Sequence, residues 1–333
     1  MKPFKVGVIG SGIWGKNIVR NFYNLNVLHT VCDIDQENLN NIKSLYPEIE
    51  ITNNCNDIFN NDEIDAVAVV TPSHTHFSLV KRALESYKHV YVEKPISTVS
   101  KEASDLIELA EKKSLVLMVG HLLLYHPAVN RLKMLVNQGA LGDIKYVQSD
   151  RLNINYFKND RSVMWDLAPH DVSMINYILS QDPIEVISAV GASSSDNDIM
   201  DITHITLKYE NNILAHISNS WIHPQKRVNL LISGTKATCV FDDTLSENKL
   251  RIYDNNIPGN NQVINLDYIE IEPLKLECQH FISCIEQGKK ARSDGENGYS
   301  VVSILETAER IMLGENAVKN LDNFDFLLSR SKR

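Results

Sequence analysis

The sequence predicts an α/β domain with a parallel sheet, followed by an α+β domain built on a large, mostly antiparallel open sheet. In the first domain short apolar strands alternate with helical segments, and the strands show little polar alternation, as expected when helices cover both faces of a parallel sheet. After Gly120 strand follows strand with turn residues between them, which is typical of an antiparallel sheet. A chain of 333 residues is long for one core, so we divide it into domains 1–121 and 122–333.

Apolar periodicity places the elements of the first domain. Its strands are predicted at residues 4–9, 27–32, 49–51, 66–70, 89–92 and 115–119. Its first helix is predicted to begin at the glycines after the first strand, and the others are predicted to cover 36–45, 57–60, 77–86 and 100–113. Right-handed crossovers then produce one parallel sheet.

The second domain is predicted to contain strands interrupted by one helix. The strands are predicted at 144–153, 184–191, 202–209, 213–221 and 228–233, with shorter ones at 237–241, 250–253 and 263–266. The helices are predicted at 125–137, 166–179, 274–286 and 301–320, and residues 288–298 are predicted to form a polar loop.

Composition narrows the class of protein. The net charge of −9 disfavours nucleic acid as a partner. No apolar run approaches the length of a membrane span, and the N-terminus does not have the pattern of a signal peptide. The cysteines are five in number and form no CxxC pair, which predicts reduced thiols in a cytoplasmic protein.

The first predicted strand leads directly into Gly10-Ser11-Gly12-Ile13-Trp14-Gly15, a GxGxxG pattern. In such a pattern the first glycine allows a tight turn, the second lets the backbone approach a pyrophosphate, and the third lets the helix pack closely on the strand. The helix N-terminus offers free N–H groups to phosphates. Between a strand and a helix, the pattern predicts a dinucleotide-binding Rossmann domain.

The second predicted strand ends at Asp33, where a carboxylate that binds the adenosine ribose is expected. A carboxylate accepts hydrogen bonds from both ribose hydroxyls and repels a 2′-phosphate, and no arginine follows Asp33. We therefore predict NAD rather than NADP as the cofactor. The alternative is that Asp33 caps the next helix, although Asp35 lies closer to its start.

Lys94 follows the predicted strand 89–92, within Glu93-Lys94-Pro95. The carboxyl ends of parallel strands are where open α/β sheets bind ligands, and a partly desolvated lysine there can hold a hydroxyl oxygen. The alternative is a surface lysine after a strand. At the end of the neighbouring strand, Thr71 and Pro72 are predicted to form a floor under the nicotinamide.

His74 and His76 follow that neighbouring strand as His-x-His. A metal site is the weaker interpretation, because no cysteine or glutamate lies at a suitable spacing nearby. We predict no metal, and a loop that borders the cofactor.

Asp166 and His170 are four residues apart in the helix predicted at 166–179, so both project from one face. A histidine beside a carboxylate is a candidate general base, because the carboxylate orients the ring and stabilises its charged form. The alternative is a helix-start aspartate with a buried structural histidine. Because Lys94 belongs to the other predicted domain, the predicted substrate site uses residues of both domains.

With these residues together, the chain resembles the glucose–fructose oxidoreductase / inositol dehydrogenase / rhizopine catabolism (Gfo/Idh/MocA) family. The resemblance covers essentially the whole chain and rests on the glycine pattern, Asp33, the stretch 71–76, Glu93-Lys94-Pro95 and Asp166-x3-His170. Within the family, the stretches 12–17, 120–127, 150–153 and 165–171 look like the branch that oxidises UDP-N-acetylglucosamine or its uronate at C3. One departure is that Val163, Met164, Trp165, Ala168 and Pro169 stand where many members carry glycines, which reshapes the pocket.

The resemblance implies NAD-dependent oxidation of a C3 hydroxyl to a 3-keto sugar, for amino-sugar and polysaccharide biosynthesis. It implies a homodimer or homotetramer assembled through the second sheet. The implied catalytic residues are Lys94, His170 and Asp166. The cofactor residues are Gly10, Gly12, Ile13, Trp14, Asp33, Thr71, Pro72, His76, Glu93 and Lys94. The predicted substrate residues are Tyr125, His126, Arg151, Asn153, Trp165 and Arg227, with the two arginines assigned to the diphosphate or to a uronate.

Two other functions remain open from the sequence. One is a free-sugar or inositol dehydrogenase of the same family. The other is a non-catalytic NAD-binding regulator, against which the intact Lys94, Asp166 and His170 argue.

Overall fold

The computed structural model describes residues 4–154, 161–194, 199–255 and 263–315. They divide into two compact units. The first unit comprises Met1–Leu122 together with Glu272–Val302, and the second comprises Leu123–Ile271 together with Ser303–Arg333. The segment Glu272–Val302, which the sequence analysis assigned to the second domain, packs with the first unit.

The helices and strands have the following bounds. The helices are α1 (Gly15–Asn24), α2 (Gln36–Leu45), α3 (Asn56–Phe59), α4 (His76–Glu85), α5 (Ser100–Lys112), α6 (Pro127–Asn137), α7 (Val163–Leu179), α8 (Pro273–Gln287) and α9 (Gly295–Met312). The first strands are β1 (Val6–Ile9), β2 (Leu28–Cys32), β3 (Glu50–Thr52), β4 (Ala66–Val69), β5 (His89–Glu93) and β6 (Leu117–Gly120). The others are β7 (Ile144–Ile154), β8 (Glu185–Ala192), β9 (Ile202–Lys208), β10 (Leu214–Ser220), β11 (Ile222–Gly234), β12 (Ala237–Asp242), β13 (Leu250–Asp254) and β14 (Val263–Asn265).

The sheet of the first unit is parallel, with strand order β3-β2-β1-β4-β5-β6. Every residue of β1 and β4 is buried, because helices cover both faces. The strand order reverses between β1 and β4, and the loops that follow these two strands border the crevice where this fold binds dinucleotides. The predicted parallel sheet and Rossmann fold are confirmed.

The helix α9 begins at Gly295, six residues before the predicted start at residue 301. Two glycines made this stretch look like a loop, but both are required by close packing. A Cβ at Gly295 would lie 2.6 Å from Ile107 Cγ1, and one at Gly298 would lie 2.8 Å from Val119 Cγ2. The predicted end of this helix, residues 316–320, lies outside the described residues.

In the second unit the described residues form an eight-stranded sheet in the order β14-β13-β12-β11-β7-β10-β9-β8. All neighbouring strands are antiparallel except β7 and β10, which run parallel. The prediction of a large, mostly antiparallel sheet is confirmed.

The helix α7 packs on this sheet and begins at Val163, three residues before the predicted start. Pro169 therefore lies inside the helix and not in its first turn. Having no N–H, Pro169 cannot donate the helical hydrogen bond to the carbonyl of Trp165. Among the described residues, no helix is long and apolar enough to cross a membrane.

Candidate active site

The loop between β1 and α1 requires glycine at its first and last positions. Gly10 has a φ of +97°, and a Cβ there would lie 2.3 Å from the carbonyl oxygen of Val70. A Cβ at Gly15 would lie 2.2 Å from the carbonyl oxygen of Gly10. The turn and the start of α1 therefore cannot accept a side chain at either position without moving the backbone.

Gly12, between them, is different, because no atom lies within 4 Å of the position that its Cβ would take. The fold does not need this glycine for its own packing, so the open space fits the close approach of a pyrophosphate. The next residue, Ile13, is 96% exposed, and Trp14 is 40% exposed. The loop thus has the room and the accessible backbone that NAD requires.

Asp33 follows β2 and is held as a charged carboxylate. Its Oδ2 accepts hydrogen bonds from the Ser11 N–H at 2.6 Å and from the Ser11 hydroxyl at 2.9 Å, and its Oδ1 accepts one from the Asp35 N–H at 2.9 Å. Burial alone would raise the pKa of Asp33, but these hydrogen bonds lower it. The cap of α2 is Asp35, whose Oδ1 accepts from the Glu37 N–H at 2.8 Å, so Asp33 is not used as that cap.

Substituting alanine for Gly12 and for Gly15 should separate binding from folding. Gly12→Ala places a methyl group in open space, so we expect unchanged stability and a Kd for NAD raised about tenfold or more, which corresponds to ~1.4 kcal/mol. Gly15→Ala forces a carbon against the Gly10 carbonyl, so we expect a lower free energy of unfolding, by about 1–3 kcal/mol. Calorimetric NAD titration and urea unfolding of both variants test this. Unchanged NAD affinity in Gly12→Ala would contradict the assignment of the loop.

The Glu93 carboxylate links the glycine loop to the strand that carries Lys94. Its Oε1 accepts from Trp14 Nε1 at 2.5 Å and from the Tyr91 hydroxyl at 3.1 Å. Its Oε2 accepts from the Lys94 backbone N–H at 3.2 Å. Burial raises the pKa of Glu93, and the hydrogen bond from Trp14 opposes that rise.

The chain of hydrogen bonds continues to Glu277 on α8, whose Oε2 lies 3.2 Å from the Tyr91 hydroxyl. A phenol has one proton and can donate to only one of two carboxyl groups. Burial, reinforced by repulsion from Glu93, raises the pKa of Glu277 well above its usual range. The Tyr91 hydroxyl therefore lies between two buried carboxyl groups and can donate to Glu93 or to Glu277, but not to both at once.

His76 connects the ends of β4 and β5 and is 1% exposed. Its Nδ1 lies 2.7 Å from the Pro95 carbonyl oxygen and its Nε2 lies 2.8 Å from that of Thr71. Burial lowers the pKa of His76, although both carbonyls oppose this. Because both nitrogens face backbone oxygens, His76 holds the Thr71 and Lys94 segments together, while Pro72 beside them is exposed.

His121, directly after β6, is a buried histidine that the sequence analysis did not assign a role. Its Nδ1 lies 2.6 Å from Asn297 Oδ1, so Nδ1 carries the proton. Burial, helped by the charge of Lys94 and opposed by the hydrogen bond with Asn297, lowers the pKa of His121 to about 4. Its Nε2 has no hydrogen-bond partner among the described residues. His121 is thus a neutral imidazole in the first unit. Its Nε2 can accept a hydrogen bond, and the charge of Lys94 affects its pKa.

The depressed pKa of His121 predicts a loss of stability in acid. Between pH 6.5, the ordinary value, and pH 4, the unfolded chain binds a proton that the folded chain does not. The free energy of unfolding therefore falls as the pH drops through this window, by up to about 3 kcal/mol from this group. Urea unfolding at several pH values should show a shallower pH dependence for His121→Gln than for the wild type or His74→Gln, which replaces an exposed histidine. Equal pH dependence in all three proteins would contradict this.

Asp166 and His170 both lie on α7 and share one face of it. Asp166 Oδ2 accepts a hydrogen bond from Trp221 Nε1 at 3.3 Å, and Trp221 is a core residue, 1% exposed. Trp165 is 4% exposed and donates from Nε1 to Glu309 Oε1 at 2.8 Å. Trp165, predicted at the substrate, therefore packs in the interior of the second unit.

The structure does not bring the two candidate arginines together. Arg227 on β11 pairs with Leu152, and Arg151 on β7 pairs with Val228. Directly opposed residues project to the same face of a sheet, so Arg227 shares the face of Leu152. Successive residues project to opposite faces, so Arg151 projects to the other face. Asn153 shares the face of Arg151, which is the face covered by α7.

Arg151 is engaged in the interior. Its guanidinium contacts the carboxylate of Asp171 on α7, with both Nε and one terminal nitrogen 3.1 Å from Oδ1. Asp171 is fully buried and also accepts from the Ser149 hydroxyl at 2.9 Å and from Asn219 Nδ2 at 3.0 Å. Arg227, in contrast, is exposed.

Arg151→Met should therefore act mainly on stability. Removing one member of a buried ion pair leaves the Asp171 charge uncompensated, so we expect the free energy of unfolding to fall by about 3–5 kcal/mol. Arg227→Met, on an exposed site, should leave stability within about 0.5 kcal/mol. Urea unfolding measures both values, and KM for the substrate shows whether either arginine binds it. Unchanged stability of Arg151→Met would contradict a structural role.

Tyr125 and His126 precede α6 and are 2% and 7% exposed. His126 caps α6, since its Nδ1 accepts from the Ala128 N–H at 3.1 Å, and its Nε2 lies 3.6 Å from Asp243 Oδ1. Burial would raise the pKa of Asp243, but hydrogen bonds from His126 and Lys249 lower it to about 2. Both residues predicted to border the sugar are thus largely buried.

Four residues that support the candidate site were given no role in the sequence analysis: Tyr91, His121, Glu277 and Asn297. Glu277 lies 186 positions from Tyr91, and Asn297 lies 176 positions from His121, so no local pattern connects them. The available signal was a glutamate at a position where the apolar periodicity of α8 predicts a buried residue. Glutamate is rarely buried without a partner, so this position indicated a contact. Among the described residues, no group of three or more His, Cys, Asp or Glu side chains could hold a metal ion.

Two family models match the chain. One, described as an oxidoreductase family with an NAD-binding Rossmann fold, matches residues 4–121, and the other, the GFO/IDH/MocA C-terminal domain, matches residues 129–240. The fit of the glycine loop and Asp33 to a dinucleotide agrees with the first model.

Two curated relatives illustrate the range of activities. A UDP-N-acetylglucosamine 3-dehydrogenase from Acidithiobacillus ferrooxidans is 28% identical over 72% of this chain and 76% of that protein. A myo-inositol 2-dehydrogenase from Thermotoga maritima is 22% identical over 95% of this chain and 98% of that protein. A crystal structure of the Acidithiobacillus enzyme superposes with a TM-score of 0.81 and 24% identity, covering 93% of this chain and 97% of that one. At this level of identity the structural likeness shows the fold alone.

Proposed function

Because the chain belongs to the Gfo/Idh/MocA family of NAD-binding oxidoreductases, we propose that it oxidises the C3 hydroxyl of a UDP-linked N-acetylamino sugar to a 3-keto sugar. The observation that carries the substrate class is the likeness to UDP-N-acetylglucosamine 3-dehydrogenase over almost three quarters of the chain. The substrate is UDP-N-acetylglucosamine or its uronate, and the product serves amino-sugar and polysaccharide biosynthesis. A cytoplasmic location and assembly through the second sheet as a homodimer or homotetramer complete the proposal.

In the proposed mechanism, bound NAD⁺ supplies the hydride acceptor. The His170 imidazole takes the proton of the C3 hydroxyl, and the Lys94 ammonium donates a hydrogen bond to the same oxygen and stabilises the negative charge that develops there. Asp166, held by the Trp221 indole N–H, orients His170. Glu93, fixed by Trp14 and Tyr91, anchors the backbone at Lys94.

A second candidate is a free-sugar or inositol dehydrogenase. It is favoured by the likeness to myo-inositol 2-dehydrogenase, which extends over 95% of the chain. A non-catalytic NAD-binding regulator is the third. The two enzyme candidates differ in the compound that reduces NAD⁺, and the regulator predicts that no sugar reduces it.

The test is NADH formation, followed by absorbance, with UDP-N-acetylglucosamine, its uronate, myo-inositol and glucose in parallel. The proposal predicts NADH with one or both UDP-sugars and a product with a ketone at C3, shown by mass and NMR after borodeuteride reduction. Turnover of myo-inositol or glucose alone would support the second candidate. Bound NAD⁺ that no sugar reduces would support the regulator.

A further inference from the structure

Two thiols meet at the end of β2, one residue before Asp33. Sγ of Cys32 lies 3.4 Å from Sγ of Cys55. Cys32 is the last residue of β2 and is fully buried, whereas Cys55, just before α3, is partly exposed. The mechanism proposed above uses neither of them.

The two thiols have different chemistry. The hydrogen bond from Cys32 lowers the pKa of Cys55 to about 7, against the effect of burial. The same hydrogen bond, together with burial, raises the pKa of Cys32. The thiolate is the reactive form of cysteine, so the lowered pKa and the partial exposure of Cys55 make it the nucleophile of the pair, with Cys32 as the protonated partner. A reactive, accessible cysteine next to a resolving one is the arrangement found in redox-sensitive sites.

We propose that Cys32 and Cys55 form an oxidisable dithiol pair, which a peroxide converts into a disulfide that weakens NAD binding by the first unit. The proposal depends on NAD binding and not on the identity of the sugar.

The reaction takes place in two balanced steps. The Cys55 thiolate attacks one peroxide oxygen, the O–O bond breaks, and Cys55 becomes a sulfenic acid while the other oxygen leaves as water after taking a proton. Cys32 sulfur then attacks Cys55 sulfur, the S–O bond breaks, and the hydroxyl leaves with the Cys32 proton as a second water. Two thiols are oxidised and one peroxide is reduced to two waters.

Closing the disulfide would bring the sulfurs from 3.4 Å to about 2.05 Å. Three hydrogen bonds couple this movement to the cofactor residues. The Cys32 carbonyl accepts from the Gly10 N–H at 2.8 Å, the Asp33 N–H donates to the Thr52 carbonyl at 3.2 Å, and the Ser11 N–H donates to the Asp33 carboxylate at 2.6 Å. A shift at Cys32 therefore reaches both the glycine loop and Asp33.

The experiment treats the full-length protein with hydrogen peroxide, blocks remaining thiols with N-ethylmaleimide and maps the peptides by mass spectrometry. We expect one cross-linked pair of peptides, joined between Cys32 and Cys55 and lighter by two hydrogens. Calorimetry should then show a Kd for NAD raised about tenfold, and dithiothreitol should restore the original value. Cys55→Ser should keep the same Kd before and after peroxide. The control Cys284→Ser, which replaces a buried thiol 3.3 Å from His280 Nε2, should behave like the wild type.

Either of two results would overturn the proposal. One is a peptide map without the cross-link, in which Cys32 and Cys55 both carry maleimide or Cys55 is over-oxidised. An added thiol peptide, oxidised in the same sample, shows that the peroxide was active. The other is a complete cross-link with unchanged NAD affinity. Both measurements are made without a sugar, so their failure leaves the proposed function to be judged separately with the reduced enzyme.

Discussion

Replacing Lys94 with methionine is expected to lower kcat for sugar oxidation about 10²- to 10⁴-fold, the range observed for acid–base groups. Methionine keeps much of the apolar stem but has no N–H donor, so the negative charge that develops on the substrate oxygen loses its hydrogen bond. The hydrogen bonds described for Asp33 and for the Glu93 carboxylate are donated by Ser11, Asp35, Trp14, Tyr91 and the Lys94 backbone N–H. The substitution keeps all of these donors, so NAD affinity should remain close to that of the wild type.

The measurement pairs steady-state NADH formation with calorimetric NAD titration. Lys101→Met, at an exposed site on α5, is the matched control and should change neither quantity. Near-normal turnover in Lys94→Met with NAD bound would remove Lys94 from the mechanism. Loss of both turnover and NAD binding would assign it to the cofactor instead.

Replacing His170 with glutamine is expected to lower kcat by a similar factor of about 10²–10⁴ near neutral pH. Glutamine retains hydrogen-bonding capacity but cannot accept the proton, so turnover should rise with pH as hydroxide replaces the missing base. Asp166→Asn should have a smaller effect, because Asp166 acts through His170 and its replacement can still accept from the Trp221 indole. The pH dependence of kcat distinguishes a lost base from a lost structural contact.

His204→Gln, at an exposed position of β9, serves as the control and should show wild-type kcat at every pH. If His170→Gln retained wild-type turnover across the pH range, the proton acceptor would have to be sought elsewhere. A uniform loss of kcat at all pH values would indicate a positioning role for His170.

The apolar pattern of the sequence predicted most helices and strands, because the burial of apolar side chains decides where most of them form. The continuous apolar strands could only be explained by a sheet covered on both faces, and the structure has that sheet in the order β3-β2-β1-β4-β5-β6. The errors occur where tertiary packing outweighs local propensity. Gly295 and Gly298 lie in a helix, where glycine is required because Ile107 and Val119 leave no room for a Cβ. Pro169 lies inside α7.

The cofactor half of the candidate site could be predicted because it depends on local sequence. The predicted roles of Gly10, Gly12 and Gly15 follow from their spacing, and the structure has room for a Cβ at Gly12 but none at Gly10 or Gly15. The supporting contacts could not be predicted, since Glu277 and Asn297 reach Tyr91 and His121 from more than 170 residues away. The buried contact between Arg151 and Asp171 could not be predicted either, because it depends on how α7 packs on the sheet.

The central claim is that the hydrogen removed from the substrate comes from C3 of a UDP-linked N-acetylamino sugar. It can be tested with UDP-N-acetylglucosamine or its uronate carrying deuterium at C3, with the reduced nicotinamide analysed by mass spectrometry. We expect reduced cofactor heavier by one mass unit, together with a 3-keto product. Reduced cofactor without deuterium, or no reduction with either UDP-sugar while myo-inositol is turned over, would contradict it.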